Sequence, residues 1–209
     1  MPRIANPVGA VRDRIRAAAF SAFMEKGYAG ANTREIAARA KVSKQKLYEL
    51  YQDKDAVLAD CIKSRAERAR RPLELRSVSD AAGLKSALEE FGTSILLELS
   101  QPNVVAVFRL GVIEAQKSPQ VGRTLDALGK RPNRKMLSDF LLQAQRAKLL
   151  APGNVETMVG EFFRLLWGDT MLSLLLGTEK APSSQEARAR AREATTALLS
   201  LHAPRGKAG

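Results

Sequence analysis

The chain has 209 residues, 45% of them hydrophobic and 27% charged, with a formal net charge of +12. That length can bury a sizeable core, the composition is that of a globular protein, and the charge points to a polyanionic partner. One cysteine, Cys61, and one histidine, His202, leave no basis for an intrachain disulfide, a multi-cysteine or histidine-rich metal site, or a Ser-His-Asp triad.

Residues 1–20 lack the continuous apolar core of a secretory signal, so a soluble, cytoplasmic protein is expected. Helical spacing dominates from there on, and no period-two strand pattern appears. Ile15, Ala18, Ala19, Ala22 and Phe23 mark one face of a first helix that stops at Gly27, where a left-handed residue suits a helix end. Asn32 reads as the N-cap of a second helix, with Glu35 three residues on completing a capping-box pattern and Ile36, Ala37 and Ala40 inward. A turn at Ala40–Val42 leads to a third helix from Ser43 that packs through Leu47 and Leu50 or Tyr51. Asp53 caps a fourth helix through Val57, Leu58, Cys61 and Ile62, the thiol falling on its buried face. Its basic tail ends at Pro72, and that proline with the SVSD segment after it marks the expected domain boundary.

Beyond the boundary, Leu84, Leu88, Phe91, Ile95 and Leu99 form one stripe. Pro102 opens a helix carrying Val105, Phe108, Val112 and Ile113 and ending near Pro119. A short helix over 120–129 and another from Pro132 to about Leu149 follow. Asn154 to Gly177 reads as one long apolar helix; its greasiest part, from Phe162, is too short to span a bilayer and carries Arg164 and Asp169. Ser183 with Glu186 caps a last helix whose Ala187, Ala191, Ala194, Leu198 and Leu201 face inward, and 203–209 read as a frayed tail. The expectation is an all-α chain of about nine helices, with no membrane segment.

Charge and helix starts coincide in the first third. Residues 1–75 hold 16 Lys/Arg against 9 Asp/Glu, about twice the net charge per residue of the remainder. In a helix-turn-helix the second helix lies in the major groove with its first turn nearest the base edges. Here that turn reads Ser43-Lys44-Gln45-Lys46. Ser43 can cap the helix and donate to phosphate, Lys44 and Lys46 supply cations, and Gln45 can pair bidentately with adenine. Tyr48 can place its hydroxyl on the backbone, Thr33 and Arg34 can grip neighbouring phosphates, and Lys54 stands at a further helix start. Solvated surface is the plain alternative for each residue singly, and less so for the group.

At Ile15 to Phe23, Lys26-Gly27-Tyr28, Arg34-Glu35-Ile36-Ala37, Val42-Ser43-Lys44, Leu47-Tyr48 and Lys54 to Leu58, the chain resembles the DNA-binding domain of the tetracycline-repressor (TetR) family of bacterial transcription regulators. It departs from the family's pattern at Ala31, where a hydroxyl is common, at Lys41, which replaces a turn glycine, and at Leu50-Tyr51, which replace an aromatic pair. If position 41 needs positive φ, lysine there costs about 1 kcal/mol but adds a cation near DNA. A looser likeness to one group of the family runs through Phe108-Arg109-Leu110, Glu114-Ala115, Ser118-Pro119 and the Phe162–Gly177 helix.

The resemblance implies a three-helix head over 10–55, a linking helix at about 54–71, and a helical ligand-binding and dimerisation bundle over 76–202. It implies a homodimer held by helices at about 154–177 and 183–202, binding double-stranded DNA at a near-palindrome. It also implies a small, largely apolar effector, with no cofactor, metal or catalytic residue. Phe91, Ile95, Phe108, Ile113, Phe140, Trp167 and Met171 are the apolar candidates to line its pocket, and Arg109, Glu114, Gln143 and Asp169 the polar ones; plain core serves equally well for the apolar set, and plain surface charge better for each polar residue. The function expected is a ligand-responsive repressor, the alternative being a constitutive, nucleoid-type DNA binder.

Overall fold

The computed structural model describes residues 7–204 except 77, 79, 117 and 118. Ser118 of the looser likeness, Ser77 and Ser79 of the boundary segment, and 205–209 of the expected tail lie outside the described residues. Within them the chain is α-helical and carries no strand: α1 (Pro7–Gly30), α2 (Thr33–Arg39), α3 (Lys44–Leu50), α4 (Lys54–Glu74), α5 (Ala81–Leu99), α6 (Pro102–Ile113), α7 (Gln120–Leu125), α8 (Arg131–Arg146), α9 (Val155–Trp167), α10 (Thr170–Leu176) and α11 (Ser184–Leu201). A π-helical segment, Asp126–Lys130, joins α7 to α8.

The helix starts follow the side chains present. Asn32 Oδ1 accepts from the Glu35 amide at 3.0 Å, Ser43 Oγ from Lys46 at 3.0 Å, and Asp53 Oδ1 from Ala56 at 2.8 Å. Each satisfies one of the amides that a helix start leaves without an internal partner. Ser183 and Glu186 form a complete capping box, whose bonds to Ser183 hold the Glu186 carboxyl below its ordinary range.

The helix ends show a repeated device. Lys41 N–H bonds Ala38 O and Val42 N–H bonds Ala37 O, the paired bonds of a Schellman motif with Lys41 at φ 53°. Lys148, at φ 59°, does the same through Gln145 O and Ala144 O, and Gly177, at φ 77°, through Leu174 O and Ser173 O. α1 changes direction at Gly27, φ 69°.

Four expectations need correction. Gly168 (φ 48°) breaks the expected long helix into α9 and α10, because a residue in that conformation cannot continue the i→i−4 ladder. α4 runs through Pro72 to Glu74 instead of ending at the proline. Pro72 has no amide hydrogen for the Arg68 carbonyl four residues back, and the Ser94 hydroxyl donates to that oxygen at 3.2 Å. α6 ends at Ile113, and Val112 and Ile113 are exposed; Val104 to Val107 and Leu110 make its buried face. Leu201, expected inward, is also exposed.

The chain divides into two compact units, one comprising the chain up to Ser64 with Asn103–Leu128, the other Arg65–Pro102 with the chain from Gly129 onward. In the first, Ile15, Ala19, Ile36, Leu47, Val57, Cys61 and Val121 are wholly buried in one cluster. The Cys61 thiol donates to the Arg16 carbonyl at 3.8 Å. In the second, α5 packs against α9 and α11 around Leu88, Phe91, Ile95, Phe162, Ala191 and Leu198. Gly92 allows the approach, since a Cβ there would lie 3.0 Å from Ala191 Cβ.

Candidate nucleic-acid interface

α2 and α3 are seven-residue helices, too short to persist on propensity alone, so their anchors decide where their exposed residues stand. α3 is anchored by Leu47, wholly buried, and by its C-cap Tyr51. The Tyr51 hydroxyl donates to Asp60 Oδ2 on α4 at 2.5 Å, and Arg16 Nη1 on α1 reaches the same oxygen at 3.0 Å. Arg12 lies 5.2 Å from the Tyr51 ring centre. Burial first, and the Asp60 carboxylate second, push the Tyr51 phenol above its usual range, so it stays a neutral donor.

α2 is held to α1 by charge. Arg39 donates to Glu25 at 2.8 and 2.6 Å, to Ser21 at 2.8 Å and to Glu35 at 2.5 Å, and Lys26 lies 2.8 Å from Glu35. The Glu35 carboxylate thus engages Lys26 and Arg39 while its own amide meets Asn32, so only half of the expected capping box forms. The hydrogen bond from Arg39 holds the Glu25 carboxyl below its ordinary value, and the contact from Lys26, with Arg39 behind it, does so for Glu35.

The two helix starts meet at one contact. Thr33 Oγ1 and Tyr48 Oη lie 2.9 Å apart, linking the first turn of α2 to α3. Lys44 Nζ sits 5.6 Å from the Tyr48 ring centre. Arg34, Lys41, Ser43, Lys44, Gln45, Lys46 and Tyr48 are all exposed, and Thr33 is half-buried. The arrangement puts four cations, an amide and three hydroxyls on the surface of one short motif, the chemistry that phosphate and base edges take.

Lys54 stands apart. Its ammonium donates to the carbonyls of Tyr28, Ala29 and Ala31 at 2.9, 3.3 and 3.4 Å and lies 4.6 Å from the Tyr28 ring centre. An ammonium has three N–H donors, so three carbonyls, two at the end of α1 and one just past it, occupy it fully. The residue missing from the expected set is Glu49, exposed on α3 beside Gln45 and Lys46. Its signal was its spacing, four residues after Gln45 and three after Lys46, which sets side chains together on a helix.

The ligand candidates fall in both units. Phe91, Ile95 and Phe140 lie in the core of the second, where Phe91 stacks on Phe162 at 6.0 Å between ring centres. Trp167 and Met171 are half-buried there, and Gln143 and Asp169 are exposed. Phe108, Arg109, Ile113 and Glu114 belong to the first unit, with Arg109 and Ile113 exposed and Phe108 and Glu114 half-buried. Two surface grooves, of about 410 Å³ beside Asp55, Arg123 and Leu128 and about 530 Å³ beside Thr170, Lys180 and Arg190, are lined by none of these residues.

Comparison with known proteins agrees with this geometry. The profile of bacterial regulatory proteins of the tetR family matches residues 15–61, and that of the AefR-like transcriptional repressor C-terminal domain matches residues 86–204. No curated protein matches the sequence. Among solved structures, a TetR-family regulator from Mesorhizobium loti superposes with a TM-score of 0.73 at 21% identity, covering 95% of this chain and 99% of its own. The flavonoid-responsive regulator FrrA gives 0.70 at 26% identity, covering 95% and 100%. A TetR regulator from Agrobacterium tumefaciens gives 0.72 at 25% identity, covering 93% and 95%.

Proposed function

This chain belongs to the TetR family of bacterial transcriptional regulators, and we propose that it represses transcription as a homodimer on a near-palindromic operator and is released by a small-molecule effector. Members of the family are DNA-binding regulators, usually repressors, and their fold is that of a non-enzymatic regulator. The observation that carries the reading is the exposed polar cluster on α2 and α3, joined at Thr33 and Tyr48.

We assign DNA reading to residues 10–55, with α4 as the link, and effector binding and dimerisation to 76–202. Gln45 reads a base edge; Thr33, Arg34, Lys41, Ser43, Lys44 and Tyr48 hold the backbone, and Lys46 stands beside Gln45 with its ammonium bridged to Glu49. Lys54 acts indirectly, by fixing the end of α1. Exposed Leu165, Leu172 and Leu176 on α9 and α10, and Leu201 on α11, support burial against a second copy. A largely apolar effector is proposed in the second unit, with half-buried Trp167 at the edge of the Phe91, Ile95 and Phe140 core and half-buried Met171 on α10. Half-sites fit near one separation, about 34–36 Å or a multiple. An effector that prefers one arrangement of the dimer moves the heads off that separation, by no more than its difference in affinity allows.

Footprinting upstream of the protein's own gene tests this. A protected near-palindrome of fewer than about 30 base pairs is expected, one to three turns of duplex. Uniform coating at low salt that vanishes at physiological salt, which the net charge of +12 would also permit, means the nucleoid-type reading instead. In binding-site selection, Gln45→Ala relaxes one position per half-site, whereas Lys44→Ala weakens all sequences alike and flattens the salt dependence. An unchanged profile for Gln45→Ala rejects its base-reading role.

A further inference from the structure

An acidic residue on a surface that meets a polyanion lowers affinity for every sequence, so its presence there needs a use. Glu49 is the only acid in α3, a helix that also carries Lys44 and Lys46 on its exposed face. Its carboxylate takes a salt bridge from Lys46 Nζ at 2.9 Å and a longer hydrogen bond from Gln45 Nε2 at 3.5 Å, one to each oxygen. Both partners belong to the first turn of α3, where base contacts are made.

Donor counting shows what this does. The Gln45 amide has two N–H donors and one carbonyl acceptor. With one N–H turned to Glu49, the other N–H and Oε1 remain, the pair that matches adenine N7 and N6–H. The flipped amide would set its oxygen against the carboxylate and is disfavoured. Meanwhile the Lys46 ammonium is matched by one negative charge, so it adds little to non-specific attraction for phosphate.

We infer that Glu49 is a specificity-determining residue of the recognition helix: it orients the Gln45 amide for adenine and withholds the Lys46 charge from the DNA backbone. The inference rests on the operator-reading function proposed above. It divides Glu49 into an acceptor role, which glutamine keeps, and a charge role, which glutamine loses.

Binding-site selection and salt titration of the full-length wild type, Glu49→Gln and Glu49→Ala separate these roles. Glu49 is exposed, so both variants should fold, and circular dichroism checks this. In Glu49→Ala, adenine preference at the Gln45-dependent position falls roughly tenfold, within the range of one bidentate contact. In Glu49→Gln that preference is kept. In both, non-specific affinity rises and the slope of log K against log salt steepens by about 0.9 per protomer, one additional phosphate neutralised. A base profile and salt slope in Glu49→Ala identical to those of a selective wild type overturn the inference alone. A wild type with no sequence preference overturns the operator-reading function, and this inference with it.

Discussion

Lys41 and Lys148 occupy the same backbone position at two helix ends, each with positive φ and the same pair of capping bonds, where Gly177 serves a third. A side chain there carries a left-handed penalty of about 1 kcal/mol, partly offset because a cation suits a helix C-terminus. Replacing either lysine by glycine should therefore raise stability by roughly 0.5 kcal/mol, the penalty less the greater freedom glycine gives the unfolded chain. Only Lys41→Gly should also weaken DNA binding and flatten its salt dependence, so Lys148→Gly is its internal control; urea denaturation and salt-titrated binding measure the pair. The glycine-for-lysine exchange at 41 was legible from the resemblance alone, and its strain only conditionally. Lys148 was not legible, since nothing in a run of Arg, Ala, Lys and Leu marks which residue turns left-handed.

Elements depend here on partners distant in sequence, and that is where sequence reading fell short. The caps at Asn32, Ser43, Asp53 and Ser183 are local and were readable. Pro72 looked like a helix stop because the Ser94 hydroxyl that meets its orphaned carbonyl lies 26 residues from Arg68. Lys54 read as a phosphate contact because the three carbonyls it serves, at the end of α1 and just past it, lie more than 20 residues away in sequence. Lys54→Met should cost roughly 2 kcal/mol, the scale of charged hydrogen bonds lost, while leaving the salt slope of DNA binding unchanged. A flattened slope would instead return Lys54 to the backbone contacts. The α1–α2 junction has its own signature. Glu25 and Glu35 titrate below their ordinary 4.5 in the folded chain, so their contribution is present above that pH and is lost as pH falls through the lowered folded values. Denaturant melts at pH 7 and pH 3.5 should show a smaller acid-induced loss in Arg39→Met than in wild type.

For the whole molecule, helix class and the head motif were legible because they rest on short-range spacing, whereas residues 103–128 gave no sign of clustering with the head. Ile113, read as a ligand contact, belongs to that segment and is exposed at the end of α6. Assembly is tested at this scale. Leu172→Glu puts a charge on a leucine that is 58% exposed in one chain and should convert a dimer to a monomer in light scattering at micromolar concentration, with little change in helicity. Cys61 offers a different handle. It is the chain's single thiol and wholly shielded in the first unit, so a thiol-reactive dye can reach it only when that unit opens. The labelling rate under native conditions is therefore a clock for that unit alone, readable with no DNA, effector or engineered reporter, and its slowing on adding a candidate operator would identify a ligand by the motion it suppresses.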